Sequence, residues 1–205
     1  MKEKIKELIE SINKNKPGRS INIMEVCGTH TMAISRHGLR QLLPESINLI
    51  SGPGCPVCVT PISDIDWVIE IARQYDVSIF TFGDLFRVPG TESSLYNEKS
   101  KGRDINICYS PIDVLNFAKN NPHRKVIFIA IGFETTIPLT SVIVKKAYNE
   151  KINNFYIYNT HKLIPEALEL LLLDKEVKID AFLCPGHVSA VIGSKPYVFI
   201  AKDYH

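Results

Sequence analysis

Short runs of apolar, mostly β-branched residues alternate along this chain with longer stretches of helical periodicity. Seven such runs predict buried strands, at residues 21–26, 47–50, 77–82, 105–108, 125–131, 154–158 and 179–183. Helical periodicity lies between them, at residues 31–43, 62–75, 111–119, 136–149 and 165–173. Strands that alternate with helices predict parallel sheets covered by helices on both faces. The expected fold class is therefore α/β, with doubly wound, Rossmann-like sheets.

The polar segment at residues 120–125, which contains Pro122, is the expected domain boundary. Four predicted strands precede it and three follow it, and the apolar run at residues 197–201 would supply an eighth strand. We therefore expect two small α/β domains, residues 1–121 and 122–205, facing each other across a cleft. One continuous sheet is the alternative, because periodicity alone does not distinguish the two arrangements.

The first sixteen residues predict an amphipathic helix, with Ile5, Leu8, Ile9 and Ile12 at helical spacing between lysines and glutamates. This segment lacks the continuous apolar core of a secretory signal. The longest apolar run, at residues 126–131, is too short to span a bilayer. We therefore expect a cytoplasmic protein.

The composition narrows the function classes further. Hydrophobic residues make up 45% of the chain, and the net charge is +2 with acids and bases interspersed. No basic face therefore suggests nucleic acid as a partner. Five cysteines in a cytoplasmic chain favour metal binding or reactive thiols over structural disulfides.

Two glycine-punctuated loops carry three of these cysteines and a histidine. Cys27 and His30 follow the first predicted strand, and Cys55 and Cys58 follow the second, behind Gly-Pro-Gly. Thiolates and imidazoles bind iron, zinc or copper, and a Cys-x-x-Cys pair also closes reversibly into a disulfide. Two alternatives stay open here. The four side chains could form a structural zinc site in an interaction module, or the Cys-x-x-Cys pair alone could serve a thiol–disulfide oxidoreductase.

Polar or glycine-rich clusters follow most of the other strands, and ligands of open α/β sheets bind at that edge. Glu134 and Thr135 follow an apolar strand and open a predicted helix. A carboxylate there either caps the helix or handles protons and orients a metal. His187, in Pro-Gly-His-Val-Ser, has the same two interpretations.

Four further residues have simpler interpretations. Cys108 and Cys184 are predicted to be small apolar residues at strand ends, because neither has a nearby ligand in the sequence. Asp84 and Arg87 share one loop, where a salt bridge competes with a functional role.

At these motifs the chain resembles the HypD family of hydrogenase maturation proteins. The resemblance covers essentially the whole chain. It rests on MEVCGTHT at residues 24–31, SGPGCPVCVTP at 51–61, TFGDLFRVPG at 81–90, YSPID at 109–113, AIGFETT at 130–136 and PGHVS at 185–189.

The resemblance implies a role in building the Fe(CN)2CO unit of nickel–iron hydrogenases. In that family the protein is a scaffold that holds iron together with a small HypC-type chaperone, while a HypE-type partner delivers cyanide. Cys27 would be the principal iron-linked thiol with His30 beside it, and Cys55 and Cys58 would be the redox-active pair that also lies among the metal ligands. Glu134, Thr135 and His187 would belong to the cleft between the two domains.

The chain departs from the family pattern at its end. Family members continue into a third region whose cysteines bind a [4Fe-4S] cluster, whereas the five cysteines here offer no separate set of four. We therefore expect the ligands of that cluster to be absent from this chain. A separate C-terminal half would then be a further partner.

Overall fold

The computed structural model describes residues 2–16 and 18–204, apart from the side chain of Lys2. The first elements in chain order are α1 (Lys2–Lys14), β1 (Ile21–Glu25), α2 (Gly28–Arg36), α3 (Leu39–Leu42), β2 (Ile47–Ser51), α4 (Ile62–Gln74), β3 (Val77–Thr81), α5 (Gly83–Phe86), α6 (Leu95–Ser100) and β4 (Ile105–Ile107). They are followed by α7 (Pro111–Asn120), β5 (Lys125–Ala130), α8 (Ile137–Asn149), β6 (Phe155–Asn159), α9 (Ile164–Leu173), β7 (Ala181–Leu183), α10 (Gly186–Ile192), a 3-10 turn (Lys195–Tyr197) and α11 (Val198–Asp203).

The strands form two sheets, and every pairing in them is parallel. The first sheet has the order β2-β1-β7, and the second has the order β4-β3-β5-β6. Crossover helices connect the parallel strands, as such pairing requires. The predicted α/β class with two Rossmann-like sheets is confirmed.

The chain divides into two compact units, each with one of the sheets. The first unit is Met1–Cys55 with Pro165–His205, and the second is Pro56–Ile164. The boundary expected between residues 121 and 122 therefore differs from the division found, since it lies inside the second unit between α7 and β5. The reason is that β5 pairs with β3 on one side and β6 on the other, so one sheet includes both sides of the polar segment. The cleft expected between two domains stays a prediction.

The second unit buries both faces of its sheet, as a doubly wound fold requires. On one face Ile79 of β3 packs in a cluster with Ile65 and Val68 of α4. On the other face Phe128 of β5 packs with Val114 of α7 and further residues of α7 and α8. Apolar burial of this kind stabilises a fold by about 1.5–3 kcal/mol per large side chain.

The eighth strand expected at residues 197–201 is wrong. The segment forms the end of the 3-10 turn and the start of α11. A short apolar run fits a strand and a helix equally well, so its period does not decide between them. Pro196 in the first turn favours the helical outcome.

The helix expected at residues 31–43 is two helices, α2 and α3. Gly38 separates them with a φ of 61°, a left-handed conformation that glycine adopts at little cost. Among the described residues, no helix combines the length and the apolar character needed to cross a membrane.

A buried carboxylate joins α4 to α6 in the second unit. Glu98 is 2% exposed, and its Oε1 accepts hydrogen bonds from Arg73 Nη2 at 2.8 Å, Ser93 Oγ at 2.7 Å and Lys101 Nζ at 2.9 Å. The hydrogen bond from Arg73 is the main cause that lowers the pKa of Glu98 from 4.5 to about 2. Its folded-state pKa is thus below its unfolded value, so the stabilisation is present above pH 4.5 and is lost as the pH falls through about 2.

We expect Glu98→Gln to lower the free energy of unfolding of the second unit by about 1–3 kcal/mol at pH 7, because the amide is a weaker acceptor for three donors. The difference from the unchanged protein should shrink between pH 5 and pH 2. Denaturant unfolding across this range measures it. The control is Glu176→Gln, at an exposed glutamate. If the difference in free energy of unfolding between the unchanged protein and Glu98→Gln stays constant with pH, the prediction is contradicted.

Candidate functional site

Cys27 lies at the N-terminus of α2, two residues beyond the end of β1. Its backbone is extended, and its carbonyl oxygen accepts hydrogen bonds from the N–H groups of His30 at 2.9 Å and Thr31 at 3.3 Å, which form the first turn of the helix. The side chain of Cys27 is buried, with 4% exposed. The strand-to-helix connection therefore fixes the direction of this thiol.

The Cys27 thiol is in contact with His187, which is 160 residues away in the sequence. Cys27 Sγ lies 3.9 Å from His187 Nδ1. The sheet brings them together, because β7 pairs with β1 and the N–H of Val26 donates to the carbonyl oxygen of Leu183 at 3.0 Å. The tautomer of His187 decides whether Nδ1 accepts the thiol proton or donates to a thiolate. His187 is exposed, so a proton taken from Cys27 has a direct route to solvent.

Two glycines bring the loop after β2 against the Cys27 loop. The N–H of Gly52 donates to the carbonyl oxygen of Glu25 at 2.8 Å. A Cβ at Gly54 would lie 2.7 Å from both Cys27 Cα and Gly28 N, a distance that excludes any side chain there. Cys55 follows directly and is half-buried. The two predicted cysteine loops are therefore in backbone contact within the first unit.

We expect Gly54→Ala to destabilise the first unit by about 1–3 kcal/mol, because the methyl group would overlap the backbone of Cys27 and Gly28. Thermal unfolding measures the change. The matched control is Gly18→Ala, since a Cβ at Gly18 meets nothing within 4 Å. Equal stability of the two variants would show that the loops do not depend on this close approach.

His30 occupies the first turn of α2 and is half-buried. Its Nδ1 is buried and has no hydrogen-bond partner among the residues that the structure describes. The sequence paired His30 with Cys27 because they are three residues apart, whereas the structure gives the contact with the thiol to His187. The role predicted for His30 as a ligand stays a prediction.

Glu25 is a buried carboxylate beside this site that the sequence analysis did not single out. It is fully buried, and its Oε1 accepts hydrogen bonds from Arg40 Nη2 at 2.7 Å and Ser51 Oγ at 2.9 Å. It thereby ties the end of β1 to the end of β2 and to α3. A charged residue at the end of a mostly apolar strand was the available signal, since such a group is buried only with partners.

Cys58 belongs to the second unit and is exposed. The neighbouring Val57 packs against the cluster that contains Ile131 and Tyr158, close to the carboxyl ends of β5 and β6. The Cys-x-x-Cys segment thus starts in one unit, at Cys55, and ends in the other.

Glu134 caps a helix, but not the one that follows it in sequence. The helix α8 starts at Ile137, and Glu134 Oε1 instead accepts a hydrogen bond from the N–H of Ile164, the first residue of α9, at 2.8 Å. Glu134 is 8% exposed, and its Oε2 is buried without a hydrogen-bond partner in the described part of the chain. Thr135 is exposed. One carboxylate oxygen of Glu134 therefore has a structural partner, and the other is available.

We expect Glu134→Ala to cost about 0.5–2 kcal/mol and to speed amide exchange at Ile164, because the N–H loses its acceptor. Glu134→Gln should retain most of the protection, since its side-chain oxygen still accepts a hydrogen bond. Hydrogen exchange followed at the Ile164 amide measures both variants. Thr135→Ala is the exposed control, and unchanged Ile164 exchange in Glu134→Ala would refute the capping role.

His161 lies beside Glu134 along the chain path, although the sequence analysis gave it no role. The N–H of Lys162 donates to the carbonyl oxygen of Gly132 at 3.0 Å, so residues 160–164 run along residues 130–134. His161 Nδ1 lies 2.6 Å from Asn159 Oδ1, and its Nε2 is buried without a partner in the described chain. Burial lowers the pKa of His161 and favours its neutral form. Its position directly after a strand was the available signal.

Four further residues singled out from the sequence, two cysteines at strand ends and the loop pair Asp84 and Arg87, have defined surroundings in the structure. Cys108 is buried after β4, and burial raises the pKa of its thiol to about 11, which agrees with the apolar role. Burial also raises the pKa of Cys184 after β7. Asp84 and Arg87 form no salt bridge within the described residues. Arg87 instead stacks over the ring of Tyr96, 5.6 Å from its centroid.

One pair of candidate ligands, Cys27 and His187, is in contact. Over residues 2–16 and 18–204, no three or more His, Cys, Asp or Glu side chains are placed to hold a metal ion together. As a pair, Cys27 and His187 offer at most two donors to a metal ion.

Comparison with known proteins identifies the family. A family model named HypD, described as "Hydrogenase formation hypA family", matches residues 3–205. The chain belongs to the HypD family. It is 47% identical to the hydrogenase maturation factor HypD of Escherichia coli strain K12, over 99% of this chain and 56% of that protein. It is also 47% identical to the HypD of Rhodobacter capsulatus, over 91% of this chain and 49% of that protein.

The chain spans about half the length of the curated relatives that it matches. A third relative, the HypD of Cupriavidus necator, is 44% identical over 92% of this chain and 52% of its own length. All the motifs that carry the resemblance lie within the matched part.

Proposed function

We propose that this chain is an iron-holding scaffold for hydrogenase maturation, with Cys27 as the thiolate that binds the iron of the Fe(CN)2CO unit. The iron fragment is the cargo of this scaffold. The observation that carries the proposal is the contact between Cys27 Sγ and His187 Nδ1, found in a member of the HypD family. A thiolate is a soft anionic donor that suits iron, and a two-donor site leaves other iron positions for cyanide and carbonyl.

His187 would accept the proton of the Cys27 thiol and later return it. A cysteine must lose its proton before it binds a metal, and metal binding therefore releases protons. His187 Nδ1, at 3.9 Å, is the base placed to receive this proton, and its exposed ring can pass it to water. When the iron leaves, the same ring returns a proton to the thiolate. His30, with its unpartnered Nδ1, would be a further group beside the iron.

Cys55 and Cys58 would be a redox-active thiol pair. Oxidation of the two thiols to one disulfide would pass two electrons and two protons to an external two-electron acceptor, and an external dithiol would restore the pair by thiol–disulfide exchange. The contact of Gly54 with Cys27 supports a place for Cys55 close to the iron-binding thiol. Glu134, with one unpartnered oxygen, would take part in proton handling in the second unit.

The proposed partners are a HypC-type chaperone that shares the iron and a HypE-type protein that delivers cyanide. The proposed location is the cytoplasm, where thiols stay reduced.

We expect Cys27→Ser to lose bound iron and to abolish hydrogenase maturation, because a neutral hydroxyl replaces the anionic sulfur donor. Anaerobic purification with the proposed partners, followed by metal analysis and infrared spectroscopy of the cyanide and carbonyl stretches, measures the loss. Cys108→Ser tests whether any cysteine replacement has this effect, since Cys108 is buried in a core cluster of the second unit. It should keep iron at the unchanged level.

Three outcomes separate this proposal from its rivals. Cyanide and carbonyl bands that persist at full strength in Cys27→Ser would overturn it. Bound zinc with unfolding on chelation would identify a structural zinc module. Redox activity that survives Cys27→Ser and depends only on Cys55 and Cys58 would identify a thiol–disulfide oxidoreductase.

A further inference from the structure

The strand β6 lies at an edge of the second unit's sheet. The order β4-β3-β5-β6 gives it one neighbour, β5, and nothing within the described chain pairs with its other side. Its five residues, Phe-Tyr-Ile-Tyr-Asn, include neither proline nor a charged side chain. Prolines and charged side chains are two of the means by which an edge strand avoids pairing with another chain. The edge is therefore open to a further strand.

The backbone groups that face outward on β6 can be assigned from its bonds to β5. The N–H of Val126 donates to the carbonyl oxygen of Asn154 at 2.8 Å, and the N–H of Thr160 donates to that of Ala130 at 2.9 Å. In a parallel ladder the N–H and C=O of one residue point to the same side. The even-numbered residues of β6 therefore bond to β5, and Phe155, Ile157 and Asn159 direct their backbone groups outward.

A groove between β6 and α8 runs along this edge. Two adjoining stretches of it, each about 740 Å³, share Val144, Tyr148 and Ile157 as lining residues. Tyr148 is 84% exposed and Val144 is 48% exposed. The groove thus offers apolar side chains directly beside a row of unpaired hydrogen-bonding groups, which is the combination used when a peptide adds a strand to a sheet.

The charge of the groove selects the partner. Lys145 and Lys151 line it with His161, and no aspartate or glutamate lies among its lining residues. Neither lysine forms an ion pair with another described residue. Complementary charge therefore favours a segment that carries carboxylates.

We propose that the β6 edge docks an extended segment of a partner protein whose side chains facing α8, at every second residue, include both apolar residues and aspartate or glutamate. The segment would pair with the outward groups of Phe155, Ile157 and Asn159, place its apolar side chains against Val144 and Tyr148, and set its carboxylates near the lysines. This docking edge lies on the second unit and does not depend on the iron chemistry of Cys27.

The test uses two nine-residue synthetic peptides with serine at every even position. Valine and glutamate alternate over the odd positions of one peptide, and valine and lysine over those of the other, so that both side-chain types face the groove. At about ten times the Kd of the glutamate peptide, we expect amide exchange at Phe155, Ile157 and Asn159 to slow about tenfold. The amides of Tyr156 and Tyr158 should change little, since β5 already protects them. Nuclear magnetic resonance resolves the individual amides.

Charge reversal provides the matched variants. The double variant Lys145→Glu with Lys151→Glu should weaken the glutamate peptide about threefold to tenfold and favour the lysine peptide, as expected for exposed ion pairs. Lys175→Glu, an exposed lysine of the first unit, should leave both affinities unchanged.

Three results would overturn the proposal. They are equal affinity for the two peptides, no binding of the glutamate peptide up to about 1 mM, and protection of amides outside β6. Protection of the same three amides that rises with protein concentration in the absence of peptide would instead assign the edge to a second copy of this chain.

Discussion

The backbone approach of Gly54 to Cys27 is the contact on which the candidate site depends. Two parallel strands end side by side, and the loops that leave them carry Cys27 and Cys55. A side chain at position 54 would separate these loops, since its Cβ would lie 2.7 Å from Cys27 Cα. The position of Cys55 beside the Cys27 loop is therefore set by the absence of a side chain at its neighbour.

Parallel pairing explains the rest of the site in the first unit. Because β1 lies between β2 and β7, its carboxyl end has a neighbour on each side. One neighbour brings Gly54 and Cys55, and the other brings His187 to 3.9 Å from the thiol. Glu25, fully buried, holds the ends of β1 and β2 through Ser51 and reaches Arg40 of α3. The order of these three strands thus places the Cys27 thiol between the imidazole of His187 and the loop that carries Cys55.

The second unit carries a different set of groups at the corresponding strand ends. One carboxylate oxygen of Glu134 accepts a hydrogen bond from the N-terminus of α9, and the other has no partner in the described chain. His161 likewise has a buried ring nitrogen without a partner there. Buried polar atoms without partners are costly, so they mark places where water, a ligand or another protein completes the hydrogen bonding. The open edge of β6 on the same unit is consistent with a protein that works in an assembly.

The sequence by itself determined the α/β class, seven of the strands within one or two residues, and the motifs that identify the HypD family. These features depend on local periodicity and on short strings such as MEVCGTHT, which need no knowledge of distant contacts. Tertiary structure alone decided which strands are neighbours. That order placed His187 in contact with Cys27, let Glu134 accept from the N–H of Ile164 in α9, and put β3 and β5 side by side in one sheet. Each of these outcomes joins residues far apart in sequence through hydrogen bonds between strands, and no local pattern records such a pairing.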